Sequence, residues 1–369
     1  MRPIEIVKNR VYMISVDDLE KDRFESIWSI PEGISYNSYV FFGPEKVVVF
    51  DVVDARFSLE YMEILRELVS PDDVDYIVLQ HLEPDHSGAL PTLLMEAKKA
   101  KVVSSMRGLE MAKAYYKVEG GVEAKGSLDV GGGGTVKFLE APWIHWPETF
   151  FSLWRNVLFT CDGFGSYGAL RGKPFSNQHE SSELLWRMKK YYANIVSGYS
   201  VFVRKALEKL EALEFGIIAP SHGPVHLGEG WLKKVVEVYD SWSAFKPEPK
   251  LTIVYGSMYG HVAKLAEAVA KGALKVEGVK VLLTDVSKRE MSDILGDLFD
   301  SSAIAFGMPT YEGDIFPPMK FLLELILHKR FPPRPIGLFG LYTWGGKVTE
   351  KARAMLEPKK FEVVEPVVN

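Results

Sequence analysis

The chain has 369 residues, with 44 Lys and Arg against 49 Asp and Glu and a net charge of −5. That mild acidic balance, without a basic block, argues against nucleic acid or an anionic membrane surface as the main partner. A single cysteine, Cys161, excludes a disulfide framework and any zinc or iron–sulfur site built on several thiolates.

The length suggests two or three domains. The first residues lack the basic-then-apolar pattern of a signal peptide, and no apolar run reaches the length of a membrane span. A soluble, cytoplasmic protein is therefore expected. Short β-branched runs predict buried strands at residues 46–53, 74–80, 101–104, 136–139, 156–160 and 216–219, arranged in two sheets. Helices are predicted over residues 59–68, 91–99, 181–195 and 205–214. The glycine run 131–134 reads as a loop between strands, with no helix after it to make a phosphate site. Pro247 and Pro249, alternating with charges over residues 245–250, read as an extended linker between a domain of residues 1–246 and one of residues 251–369. Beyond the linker, strands at 251–255, 280–285, 303–307, 335–342 and 362–367 alternate with helices, the pattern of a parallel doubly wound α/β sheet.

The chemistry concentrates in Gln80-His81-Leu82-Glu83-Pro84-Asp85-His86, directly after a predicted strand. Pro84 interrupts regular helix, so His81, Glu83, Asp85 and His86 are expected to converge from a loop. Carboxylates and imidazoles this dense are costly to bury unless metal or mutual pairing satisfies them. His145, Asp162 and His222 each follow a predicted strand at a turn. The seven make four imidazoles and three carboxylates with no thiolate, a count that fits two metals sharing a bridging group. Hard oxygen donors suit iron, while zinc and manganese stay open on ligand type. Cys161 reads as a small packing residue, and His179, His226 and His328 read as surface or loop residues.

The pattern His-x-Glu-x-Asp-His, followed at long intervals by His, Asp and His, resembles the metallo-β-lactamase-type half of the flavodiiron proteins, also called A-type flavoproteins. The wider metallo-β-lactamase superfamily usually has His where this chain has Glu83. The resemblance implies a metallo-β-lactamase-like αββα sandwich followed by a flavodoxin-like domain. It implies one iron on His81, Glu83 and His145, a second on Asp85, His86 and His222, and Asp162 between them.

In the second half, Gly256-Ser257-Met258-Tyr259-Gly260-His261-Val262 joins a strand to a helix, and such a turn can cradle a phosphate. Two further loops follow later strands: Met308-Pro309-Thr310-Tyr311-Glu312-Gly313 and Tyr342-Thr343-Trp344-Gly345-Gly346. Ligands of open α/β sheets bind where such loops meet. The three loops resemble the flavin mononucleotide (FMN) site of the same family. Phosphate is then expected on Ser257 to Val262, and the flavin ring near Met258, Tyr259, Thr310, Tyr311 and Trp344. Three departures stand out. Val262 replaces a usual Thr, with His261 where Asn is common. Phe24-Glu25-Ser26 stands where many members have Phe-His-Gly near the metal pocket. The final flavodoxin helix is not expected before Asn369.

The resemblance implies an oxidoreductase that reduces dioxygen to water, nitric oxide to nitrous oxide, or both. It also implies electrons from a separate donor such as rubredoxin or a reduced deazaflavin. A head-to-tail homodimer is expected, one subunit's flavin facing the other's metals with Trp344 at the contact, and a dimer of dimers is an extension of it. Trp143, Trp146, Phe164 and Tyr192 are expected to wall an apolar gas channel, with Tyr192 the catalytic candidate. The alternatives are a dizinc hydrolase carrying a regulatory flavodoxin domain, and an electron carrier with a vestigial metal site.

Overall fold

The computed structural model describes residues 2–342, 345–364 and 367–368. The chain divides into two compact units. The first comprises Met1–Phe24, Ile30–Tyr191 and Tyr199–Asp240, and the second comprises Glu25–Ser29, Tyr192–Gly198 and Ser241–Asn369.

Two sheets build the first unit. One orders its strands as Ile4–Val7, Val11–Asp18, Ile34–Phe42, Val47–Phe50, Val74–Val78, Lys101–Ser104 and Val122–Glu123. Its first three pairings are antiparallel and its last three parallel. The other orders Ser127–Asp129, Thr135–Glu140, Phe150–Trp154, Val157–Cys161, Ile217–Pro220 and His226–Leu227. Strand alternation decides which side chains meet between the sheets. Val48 and Phe50 enter the shared core while Val49 turns to the opposite face, and all three are fully buried. Strands covered on both faces read as continuous apolar runs, which is why these were legible. Across the core the Phe50 and Phe159 rings stack at 4.2 Å and 13°. Phe150 joins that core, whereas Phe151 turns outward to Val203 and Ala206 of the helix Ser200–Leu210.

Strands Val157–Cys161 and Ile217–Pro220 are parallel, so their C-terminal ends share one edge of the sandwich. Asp162 and His222 emerge there. The strand Ile34–Phe42, where the sequence predicts none, is buried from Ile34 to Phe41 despite Ser35, Asn37 and Ser38. Its polar groups serve the metal edge. Asn37 Nδ2 donates to the carbonyls of Pro220 and Gly223 at 2.9 and 2.8 Å, and Ser35 Oγ accepts from the Gly223 N–H at 2.8 Å.

The second unit is a parallel sheet ordered Lys280–Asp285, Glu248–Tyr255, Ser301–Tyr311, Pro335–Leu341 and Glu362–Val363. Helices His261–Ala273, Met291–Phe299, Pro317–His328 and Val348–Leu356 alternate with the strands. The order reverses between the first strand and its two neighbours, which places a ligand crevice at those strands' C-terminal ends.

Three local expectations change. Glu248, Pro249 and Lys250 belong to a strand rather than a linker, and buried Lys250 is ion-paired with Asp300. The helix expected over 181–195 is α-helical only over Ser181–Tyr191 and continues as a π-turn, Tyr192–Val196. The next helix spans Ser200–Leu210, earlier than expected, because the run Val201-Phe202-Val203 is helical despite its β-branched residues.

Candidate metal centre and cofactor pocket

Pro84 starts a helical turn rather than preventing one. It is the first residue of Pro84–Ser87, where its fixed φ suits a helix and its missing N–H costs nothing. Asp85 and His86 therefore project from a short turn, while His81 and Glu83 precede it.

The seven predicted ligands come together as two groups around one carboxylate. His145 Nε2 lies 2.9 Å from Glu83 Oε2, and His81 Nε2 lies 3.2 Å from the same oxygen. Asp162 Oδ2 lies 3.3 Å from His81 Nε2 and 3.5 Å from His145 Nε2. On the other side, Asp162 Oδ1 lies 3.0 Å from His86 Nε2 and 3.4 Å from His222 Nε2. Asp85 closes that group, with Oδ1 3.5 Å from His86 Nε2 and Oδ2 3.3 Å from His222 Nε2. Donor separations of roughly 3.0–3.5 Å are the edges of a polyhedron whose centre lies about 2.0–2.2 Å from each donor, the usual metal–ligand length.

His81, His86 and His222 are fully buried, and Asp162 is 1% exposed. Among the described residues, both Asp85 oxygens, Asp162 Oδ2 and His222 Nε2 meet no hydrogen-bond partner. Buried acceptors without donors are what a pair of cations would satisfy. Burial opposes charge on Glu83, yet hydrogen bonds from His145 and His81 hold it well below the usual carboxylate range. Asp162 is likewise held far down against its burial, by the charge and hydrogen bond of His86 and by His81 and His145. Burial disfavours the charged imidazoles too. Hydrogen bonds to Glu148 and Glu83 nevertheless push His81 well up, and Asp85 with Asp162 pushes His86 to about 9.

Outer groups orient the imidazoles. Glu148 Oε1 lies 2.7 Å from His81 Nδ1 and also accepts from the Leu82 N–H at 2.9 Å. His222 Nδ1 lies 2.8 Å from the Ser35 carbonyl. Sequence reasoning missed Glu148, although it stands three residues after His145. Cys161 Sγ lies in a buried group with His86 and Asp162. Burial, then Asp51 and Asp162, push its thiol well above the ordinary value, which suits a packing thiol and not a thiolate ligand.

Aromatic rings border the ligands: Trp146 lies 5.0 Å from His81, Phe24, Tyr191 and Tyr36 lie 5.5, 5.7 and 5.8 Å from His222, and Tyr199 lies 6.5 Å from His145. Tyr192, the expected wall, instead has its ring 5.4 Å from both Trp242 and Phe299. The π-turn that begins at Tyr192 breaks the helical register after Tyr191. Trp143 is 37% exposed and lies parallel to Tyr199 at 6.1 Å. Phe164 packs on Tyr239 at 4.3 Å. Glu25 is exposed and accepts from Trp28 Nε1–H at 3.0 Å. His226, expected at the surface, is fully buried between Phe164 and Trp231. His179 is half-buried and bonded to the Lys173 carbonyl, and His328 ends its helix exposed.

In the second unit, residues of the first two predicted loops, with Leu341 and Tyr342 at the start of the third, line a cavity of about 560 Å³, within the range of roughly 300–1,000 Å³ for small-molecule sites. Ser257, Met258, Tyr259, His261, Val262, Pro309, Thr310, Glu312, Gly313, Leu341 and Tyr342 line it. Gly260 takes φ +85° at the start of the helix His261–Ala273, a conformation glycine adopts without strain. His261 and Val262, the first residues of that helix, line the cavity, where unpaired helix N–H groups suit an anion, and Thr310 Oγ1 is buried without a partner among the described residues. Both features fit a flavin phosphate and ring. Val262 lines the cavity but is 3% exposed and packs with Ile253, Ala266 and Phe339. Tyr259 is 85% exposed. Tyr311 is 41% exposed and lies beside Phe316, and Gly345 takes φ +63°. Thr343 and Trp344 lie outside the described residues.

The chain matches the family model described as ODP family beta lactamase over residues 34–223 and the flavodoxin model over residues 253–369. It is 32% identical to a type A flavoprotein of Rhodobacter capsulatus, over 96% of this chain and 84% of that one. It is 30% identical to an anaerobic nitric oxide reductase flavorubredoxin of Vibrio vulnificus, over 96% of this chain and 73% of that one. Among solved structures it is similar to the rubredoxin oxygen:oxidoreductase of Desulfovibrio gigas. That match has a TM-score of 0.93 and 29% identity, and it covers 100% of this chain and 92% of the other. A flavodiiron protein from Giardia intestinalis gives a TM-score of 0.94 at 26% identity, over 100% and 91% of the two chains.

Proposed function

We propose, from the premise that this chain belongs to the flavodiiron protein family, an oxidoreductase that reduces dioxygen to water, nitric oxide to nitrous oxide, or both. Its centres are a non-haem diiron site and FMN. The observation that carries this reading is Asp162, whose two oxygens face two separate ligand groups at 3.0–3.5 Å. We assign His81, Glu83 and His145 to one iron, Asp85, His86 and His222 to the other, and Asp162 to the bridge. When bound, two ferrous ions and a reduced flavin store the four electrons that dioxygen needs to become water, and more than the two that a pair of nitric oxide molecules needs.

The chain's own residues supply position and protection. Glu148 accepts from His81 Nδ1–H, which leaves Nε2 bare toward the metal. The Ser35 carbonyl does the same for His222. Trp146, Phe24, Tyr36 and Tyr191 cover the imidazoles with apolar surface, which limits water while admitting a small gas. In the second unit, the loop from Ser257 to Val262 takes the phosphate, and Thr310 offers its hydroxyl to the flavin.

A rubredoxin or a reduced deazaflavin supplies the electrons, since the single cysteine of these 369 residues cannot hold a rubredoxin centre within them. The exposed Tyr259 and Met258 beside the flavin cavity support a head-to-tail homodimer in which another subunit covers them. We place the protein in the cytoplasm. Metal analysis with flavin absorbance on one iron-replete sample tests the assignment. About two iron and one flavin per chain support it, and two zinc that iron cannot replace, with no gas turnover, defeat it.

A further inference from the structure

The residues flanking Asp162 hold conformations that side chains seldom adopt. Cys161 has φ +48° and Phe164 has φ +64°. A bulky residue stays in the left-handed region only where its surroundings over-determine it. Backbone bonds give part of the restraint, with the Gly163 N–H on the Thr160 carbonyl at 2.9 Å and the Gly165 N–H on the Asp162 carbonyl at 3.1 Å. The Thr160 hydroxyl adds a local bond to the Gly163 carbonyl at 2.6 Å, and a further restraint comes from far along the chain. His226 Nε2 lies 2.9 Å from the Phe164 carbonyl, and Trp231 Nε1 lies 2.9 Å from His226 Nδ1.

The proton on this imidazole has only one place to be. An indole N–H only donates, so Nδ1 must accept, and Nε2 must carry the hydrogen that reaches Phe164. Burial pushes His226 down to about 4, against the opposing bond to Phe164, so the neutral form persists at neutral pH. His226 also pairs in register with Ile218, in the strand Ile217–Pro220 that leads to His222, and the Ser166 N–H donates to the His222 carbonyl at 3.3 Å. One side chain thus ties the loop of the bridging carboxylate to the strand that delivers a ligand of the second metal.

We infer that His226 is a positioning residue for the metal centre: with its tautomer set by Trp231, it holds the Phe164 carbonyl and so fixes the bend that aims Asp162 between the two ligand groups. The inference rests on the diiron assignment above, but not on which gas is reduced.

The test uses the full-length protein and two readings. The first is amide exchange of residues 163–166 in metal-free protein, and the second is titration with Co(II). His226→Leu, which loses both hydrogen bonds, is expected to exchange those amides about tenfold faster and to bind Co(II) about 10- to 100-fold more weakly. His226→Gln, whose amide can donate to Phe164 and accept from Trp231, is expected to recover most of both. Trp231→Phe removes only the tautomer-setting donor and is expected to fall between the two. If His226→Leu fails to fold, Trp231→Phe decides by the same readings. Unchanged exchange and Co(II) affinity in His226→Leu would overturn the inference, as would His226→Gln behaving no better than the leucine variant. A wild-type protein that binds fewer than two Co(II) per chain would instead defeat the metal assignment, and the metal-free exchange comparison would then judge His226 alone.

Discussion

Glu148 Oε1 sits 2.7 Å from His81 Nδ1, with both side chains buried, and the same oxygen accepts from the Leu82 N–H. The carboxylate thereby sets which nitrogen of His81 faces the metal, from a position 67 residues away in the chain. Replacing it by alanine should cost about 10- to 100-fold in metal affinity at the site shared by Glu83 and His145. Glu148→Gln retains an acceptor and should cost less than Glu148→Ala. Competition with a chelator, read on each variant, checks the order.

Asp162 is the only predicted ligand that lies near donors of both groups, at 3.3 Å from His81 and 3.0 Å from His86. Asp162→Ala should therefore disturb both metals, whereas His145→Ala should disturb one group. Metal content after dialysis, with magnetic coupling followed by low-temperature EPR, separates the two. Coupling that survives in Asp162→Ala would count against the bridge.

The titrating groups of the metal-free protein predict a pH dependence of definite sign. Glu83 and Asp162 are held below the ordinary carboxylate value by the imidazoles despite their burial. Their contribution is present above about pH 4 and lost at lower pH. His81 and His86 are raised despite burial, His86 to about 9. The His86 contribution is complete below about pH 6.5 and lost as the pH rises through about 9, and the His81 contribution has the same sign. The melting temperature of metal-free protein should thus fall between about pH 7 and 9.5. Metal must displace the same protons, so metal affinity should rise over that interval. Thermal unfolding of both forms across this range checks the crossing.

Val262, in the loop proposed to take the flavin phosphate, is 3% exposed and packs on Ile253 and Ala266. Val262→Thr should tighten FMN binding by several-fold, since one net hydrogen bond is worth about 1 kcal/mol. It should also destabilise the flavin-free unit, because Val-to-Thr in an apolar contact is not a neutral exchange. Fluorescence titration with FMN, together with thermal unfolding of flavin-free protein, measures the two effects separately.

What was legible in the sequence followed from local spacing. His81, Glu83, Asp85 and His86 lie within six positions, and strands such as Lys101–Ser104 are continuous β-branched runs. The strand Ile34–Phe42 was hidden because its interior polar residues break the apolar pattern, and their partners at Pro220 and Gly223 are more than 180 residues away. Glu148, Ser35 and His226 were missed for the same reason, each acting on a residue at least 62 positions distant. The exchange of Tyr192 for Tyr191 beside His222 has a different origin. A periodic pattern cannot announce the π-turn Tyr192–Val196, which shifts every side chain after it.

A flavodiiron protein of this kind passes flavin electrons to a gas at its diiron site. The most direct measurement is anaerobic stopped-flow mixing of fully reduced, iron- and FMN-loaded protein with dioxygen and with nitric oxide, followed by flavin absorbance. Rapid flavin reoxidation by at least one gas, abolished in Asp162→Ala with FMN still bound, is the predicted result. Loaded wild-type protein whose flavin is reoxidised no faster by either gas than that of the Asp162→Ala variant would rule out electron transfer from flavin to gas through the diiron site.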